Sequence, residues 1–155
     1  MKNLKVILSA FVIAGAMFVG CSDDDNGSTT GGELKRRWNP QKTEVKIGND
    51  KSVFPYTNND PNCQKNYVEF TDDNHVRVVG FADPIGTGCV EIVSPEETTY
   101  TRNDNTLVID GIDLYDGTWE IIRLTNSELR IRRTDAPGGV TTITTVFFKK
   151  AAIQG

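Results

Sequence analysis

Apolar residues are distributed in two different ways along this 155-residue chain. Residues 6–19 form an almost unbroken apolar run, interrupted by Ser9 and by small residues such as Gly15. From Glu33 onward, apolar and polar residues alternate in short stretches separated by Asn, Asp, Gly and Pro clusters, and no stretch keeps a helical period. A period of two places successive side chains on opposite faces of a strand, so the second region reads as all-β. Strands are expected over residues 44–47, 65–70, 75–81, 98–102, 106–109, 117–124, 128–133 and 141–150, roughly eight in antiparallel succession. The turns Thr71-Asp72-Asp73-Asn74, Asn103-Asp104-Asn105, Thr125-Asn126-Ser127 and Ala136-Pro137-Gly138-Gly139 carry the residues that hairpins favour. Leu129 and Ile131 should face one way and Arg130 and Arg132 the other, while Ile143, Thr145 and Phe147 share a face of the last strand. An open meander of this size would leave two long unpaired edges, which closure removes. The expected fold is an antiparallel up-and-down barrel.

The apolar run changes the picture of where such a barrel sits. It follows the basic start Lys2 and Lys5 and ends at the polar stretch Cys21-Ser22-Asp23-Asp24-Asp25-Asn26. It is shorter than the roughly 20 apolar residues a spanning helix needs, and its three-part layout is that of an export signal. Phe18-Val19-Gly20-Cys21 resembles the lipobox of bacterial lipoproteins, which implies cleavage before Cys21 and a lipid on that cysteine. Attached acyl chains at about 0.8 kcal/mol per buried methylene would hold the protein on a membrane. Ser22-Asp23-Asp24-Asp25 resembles the acidic tag of Bacteroidetes lipoproteins displayed on the outer membrane, and residues 26–32 form a Gly/Ser/Thr-rich tether. The expected organisation is a signal peptide at 1–20, lipidated Cys21 and tether at 21–32, and one domain at 33–155. The expected place is the outer membrane, cell-surface exposed, with its periplasmic face as the alternative.

With Cys21 assigned to lipid, two of the three cysteines remain, and in an exported chain Cys63 and Cys89 are expected to pair. A metal site competes poorly, because there is no CxxC and His75 is the single histidine. The formal net charge of −4 owes much to the aspartates after Cys21, and no basic stripe suggests a nucleic-acid partner.

The segments after residue 33 resemble the lipocalin-like domain lipoproteins, small barrels distantly similar to lipocalins and fatty-acid-binding proteins. The resemblance covers roughly residues 34–150. It rests on Trp38 in the first strand, the segment from Cys63 through Tyr67-Val68-Glu69-Phe70 to Cys89, Asn105-Thr106-Leu107-Val108-Ile109, and residues 124–131 closed by 144–149. Lipocalins proper usually carry Gly-x-Trp, where this chain has Arg36-Arg37-Trp38. The resemblance implies a membrane-anchored protein that binds a small hydrophobic ligand in its barrel. An eight-stranded interior is either filled by side chains or wide enough for one small ligand. Trp38, Phe70, Phe81, Tyr100, Trp119 and Phe147 are the aromatics expected to line or fill it. The alternative is a solid barrel that docks an envelope protein or glycan, for which exposed Tyr56 or Tyr115, or the arginines Arg123, Arg130, Arg132 and Arg133, would be the surface.

No nucleophile elbow, phosphate loop or metal-ligand pair of histidines is present, so no catalytic residue, cofactor or metal is expected. His75 follows an Asp-Asp-Asn turn, where a solvated histidine belongs. Asp110 with Asp113, and Asp72 with Asp73, read as turn carboxylates rather than a calcium loop.

Overall fold

A computed structural model describes residues 31–94 and 98–152. The expected signal peptide, Cys21 and the expected tether up to residue 30 lie outside the described residues. The strands are β1 (Arg37–Ile47), β2 (Asp50–Pro55), β3 (Tyr67–Phe70), β4 (Val76–Ala82), β5 (Val90–Val93), β6 (Thr99–Asn103), β7 (Thr106–Asp110), β8 (Gly117–Leu124), β9 (Glu128–Asp135) and β10 (Thr142–Lys150). A short 3₁₀ turn, Pro137–Gly139, connects β9 to β10. All pairings are antiparallel, in the order β5-β4-β3-β1-β10-β9-β8-β7-β6, with β2 also on β1. The fold is therefore all-β and up-and-down, as the alternation predicts.

Two strands exceed the expected eight. β2 and β5 have no buried residue, so burial imposes no alternation on them. The first strand is also longer than residues 44–47: it begins at Arg37 and accommodates Pro40 and Gln41 by a register shift between Pro40 and Lys42. Proline lacks a donor N–H, and a bulge is one of the few strand positions that tolerate it. One edge of this long strand is shared. Residues 42–47 pair with β2, and Arg37 and Trp38 pair with β3.

One end of the strand order, β6, reaches the β3–β4 turn. His75 bridges Thr99, the Val76 N–H donates to the Thr98 carbonyl at 3.1 Å, and the Tyr100 N–H donates to the Asn74 carbonyl at 2.9 Å. Among the described residues β5 and β6 do not pair with each other, and this isolated bridge with its flanking hydrogen bonds is what joins β6 to the β3–β4 turn. Asn74 and Asp104 hold positive φ at their turns, a conformation their residue types tolerate.

The core lies on the face shared by Trp38, Val68, Phe70, Leu107, Ile109, Ile121, Leu129, Ile131, Val146 and Phe148. At one end the Trp38 indole N–H donates to the Leu34 carbonyl at 2.9 Å, and the chain enters from Gly32, whose N–H donates to the Leu124 carbonyl. At the other end, the connection between β7 and β8 turns Ile112 and Tyr115 inward, and the Trp119 indole donates to the Tyr115 carbonyl at 2.7 Å. Both tryptophans thus bury their rings and satisfy their one polar atom, so Trp38→Ala would cost about 3–5 kcal/mol.

A smaller cluster of Tyr67, Val79 and Phe81 sits on the opposite face of β3 and β4, with Cys63 packed against it. Cys63 and Cys89 are bonded, with Cα atoms 5.6 Å apart, as expected of the two cysteines that remain after Cys21. The loop carrying Cys63 is fixed further by Asn66. Its Oδ1 accepts from the Phe81 N–H at 2.8 Å, and its Nδ2 donates to the Tyr56 hydroxyl and the Asn58 carbonyl at 3.0 and 2.8 Å. Asn66 also donates its N–H to Asn59 Oδ1 and accepts from Asn39.

Candidate ligand-binding site

Strand pairing decides which of the six sequence-selected aromatics reach the interior, because directly paired residues share a face. Trp38, Phe70, Tyr100 and Trp119 lie in the main core and are exposed by 4% or less. Phe70 and Tyr100 meet edge to face with centroids 5.1 Å apart, and the Tyr100 hydroxyl donates to the Thr71 carbonyl at 3.0 Å. All four are buried within one core cluster.

Phe81 and Phe147 are corrections. Phe147 pairs with Lys42 and Arg130, whereas the buried residues of β10 are Val146 and Phe148. It faces outward, under the Lys42 ammonium at 4.4 Å and the Arg130 guanidinium at 5.0 Å. Those cations shield the ring and gain from its quadrupole. The shared face of Ile143, Thr145 and Phe147 is thus the outer one. Phe81 lies two residues beyond Val79, which pairs with Tyr67, so it belongs to the outer cluster beneath the disulfide loop.

The inner face continues past the packed core. Thr43, Val45 and Ile47 of β1 follow Val146's face, and Phe54 pairs with Thr43. On β4 and β5, Val78 packs on the core, and Ile92 and Val90 pair with Gly80 and Ala82 of the same face. Ile47, Phe54, Val90 and Ile92 are each about half exposed, at 49 to 57%. They leave an uncovered apolar inner face above a filled floor. The uppermost layer of that floor is polar-edged: Arg133 lies 4.9 Å over the Trp119 ring and donates to the Asp116 carbonyl at 2.9 Å. Gly117, at φ 108°, lets the chain pass with only 3.6 Å between a would-be Cβ and that guanidinium. Tyr115 is buried deeply enough that its hydroxyl is held protonated, with Tyr56 nearby adding to the effect.

The alternative surface features read from the sequence are occupied. Tyr115 is in the core and Tyr56 is half-buried against Asn66. Arg123 and Arg130 flank Glu128 at 2.6 and 2.8 Å, Arg132 pairs with Glu120 at 2.7 Å, and Arg133 pairs with Asp135 at 2.9 Å. His75 sits 3.2 Å from Asp73 in its turn. No group of three or more metal-ligating side chains occurs among the described residues.

A cleft of about 910 Å³ lies elsewhere, at the entry end, where the outer sides of β1 and β3 meet the end of β10. It is bounded by the start of β1, the end of β10 and the loop of Cys63. Arg36, Arg37, Lys65, Lys149 and Lys150 line it, with Tyr67 and Glu69. Sequence reasoning missed it, although the doublets Arg36-Arg37 and Lys149-Lys150 at two strand ends were a visible signal.

The pairing and the core define an all-β up-and-down sheet with a filled interior. Two solved structures of bovine odorant-binding protein are similar to it. A deswapped triple mutant shares 20% identity over 78% of this chain and 75% of that one, with a TM-score of 0.39. A complex with undecanal shares 18% identity over 81% and 76% of the two chains, with a TM-score of 0.40. No family model and no curated protein matches the chain.

Proposed function

We propose that the protein is a lipid-anchored envelope barrel that binds a small hydrophobic ligand at its open end. Cys21 carries the lipid, and the outer membrane, on its cell-surface side, is the place. The single observation that supports ligand binding is the exposed inner-face set Ile47, Phe54, Val90 and Ile92 above a floor closed by Ile112, Tyr115 and Trp119. Apolar side chains on a concave face remain solvated only at a cost, which a bound apolar molecule removes at roughly 25 cal/mol per Å². The ligand rests on the floor and does not thread among Trp38, Phe70 and Tyr100.

The filled interior favours a second reading, a solid barrel whose open end takes an apolar side chain of an envelope protein. Both readings make Phe54→Asp and Ile92→Asp harmful, and they differ in size of partner. Protein purified from its own membrane and examined by native mass spectrometry should carry a ligand of small-molecule mass, lost in the double variant while folding is kept. A wild-type spectrum free of small molecules, together with no binding of an apolar fluorescent probe, overturns the ligand reading. Metabolic labelling with a fatty acid tests the anchor: label should depend on Cys21, and label retained in Cys21→Ser refutes that assignment.

A further inference from the structure

The entry-end cleft has no part in the hydrophobic reading, and its charge is one-sided. Five cations, Arg36, Arg37, Lys65, Lys149 and Lys150, line it against one carboxylate, Glu69. Glu69 is already shared between Arg37 Nε at 2.9 Å and Arg77 at 2.7 Å. Arg36 is met by Glu33 at 2.8 Å. The exposed lysines Lys65, Lys149 and Lys150 make no ion pair among the described residues.

Three uncompensated ammonium groups around one concavity repel each other, and a concave low-dielectric wall focuses their field outward. At physiological salt the screening length is about 8 Å, so charges around one cleft act together on a ligand inside it. Arg37 supplies shape as well as charge. Its Nε is fixed on Glu69 and its guanidinium lies 4.7 Å over the Tyr67 ring, while its two Nη groups donate to no described residue. A held guanidinium with its fork free is suited to two oxygens of one anion. A monovalent carboxylate would answer one cation and leave the lysines unmatched.

We propose that this cleft is an anion site that takes a phosphate ester, with the Arg37 fork on two phosphate oxygens and Lys65, Lys149 and Lys150 around it. The ester is either a lipid headgroup or a soluble phosphorylated molecule. The chain enters the barrel at this same end, through Gly32, so under the anchoring reading the membrane's own phosphates are the nearest source. Binding of free phosphate does not depend on that reading.

The test uses the full chain as cells process it, purified in mild detergent. One arm titrates inorganic phosphate by NMR; the other titrates short-chain phosphatidylglycerol and phosphatidylcholine into the same detergent, read at the amides of the cleft, so that the protein's own lipid does not decide the outcome. Lys65→Ala/Lys149→Ala/Lys150→Ala is compared with Lys46→Ala/Lys51→Ala/Arg102→Ala, which removes the same formal charge away from the cleft. All substituted side chains are exposed, and only the surface pair of Lys51 with Glu44 and the Arg102 bond to the Asp104 carbonyl are given up, so melting temperatures should stay within a few degrees of wild type and report any folding defect directly. Loss of at least about tenfold in affinity in the cleft variant alone supports the site. Saturation by phosphate identifies a soluble ester, and binding only to phosphatidylglycerol identifies a headgroup. Equal loss in both triple variants, or no saturable binding in either arm, overturns the proposal. Failure here leaves the hydrophobic site at the opposite end untouched.

Discussion

Removing the disulfide by Cys63→Ser/Cys89→Ser should destabilise the domain without changing its native structure. The bond spans 26 positions, and closing a loop of that length in the unfolded chain removes entropy equivalent to about 3.5 kcal/mol at 25 °C. The native loop does not depend on the bond for its shape. Asp60 accepts from the N–H groups of Asn62, Cys63 and Asp83, and Asn66 ties the loop to Phe81 and Tyr56. The loss should therefore come from the unfolded state, which opens further and exposes more surface. Urea unfolding should show a stability lower by about 3–4 kcal/mol together with a steeper denaturant slope. At roughly 3–5 °C per kcal/mol for a domain of about 120 residues, the melting temperature should fall by about 10–17 °C. Near-ultraviolet circular dichroism of the folded variant should match wild type. A loss under about 1 kcal/mol with an unchanged slope would refute the assignment of the effect to chain entropy.

Asn66→Ala removes a side chain that serves Phe81, Tyr56 and Asn58 at once, so it should cost about 2–4 kcal/mol by urea unfolding; a cost under about 0.5 kcal/mol would show that water replaces it freely. Acid should weaken the fold. Asp60 is held below the ordinary carboxyl range by the N–H groups of Asp83 and Asn62, and Asp73 by Thr71. Burial alone would raise Glu44, but the ammonium groups of Lys42 and Lys51 outweigh it and leave it lowered. Depressed native values mean that the unfolded chain binds more protons. Stability is then complete above the unfolded range near pH 4 and is lost as pH falls through the native values. Asp60→Asn should flatten that dependence between pH 5 and pH 3, and an unchanged profile would exclude Asp60 as a contributor.

How much of this was legible follows from what each pattern encodes. The hairpins over 65–81, 98–109 and 117–133 were readable because a buried face imposes alternation and their turns carry Asn, Asp and Ser. β2 and β5 were missed because neither buries any side chain, so nothing in them selects one parity over the other. Phe147 was placed inside because both faces of β10 carry apolar residues; only the register with Arg130 and Lys42 shows which is covered. Phe81 failed for a related reason, since the loop of Cys63 gives the outside of β4 a core of its own. The basic cleft was out of reach of any local pattern. Its residues come from 36–41, 63–69 and 149–152, which meet because β1 pairs with both β3 and β10.

That central position of β1 has a further consequence. Trp38 faces Lys150 across the ladder, and the Ala151 N–H donates to the Arg37 carbonyl at 3.0 Å, so the two outermost strands of the sequence are neighbours in space. The meander is cyclic in all but one covalent link. A short linker from residue 152 to residue 33 would close that circle, and a new cut at Asn49 or in the Pro137–Gly139 turn would reopen it at the far end. Such a permutant would keep every strand pair while presenting its ends beside the apolar mouth instead of the basic cleft. Which end of the barrel carries the chain's two ends is then a property of where the chain is cut, independent of how it folds.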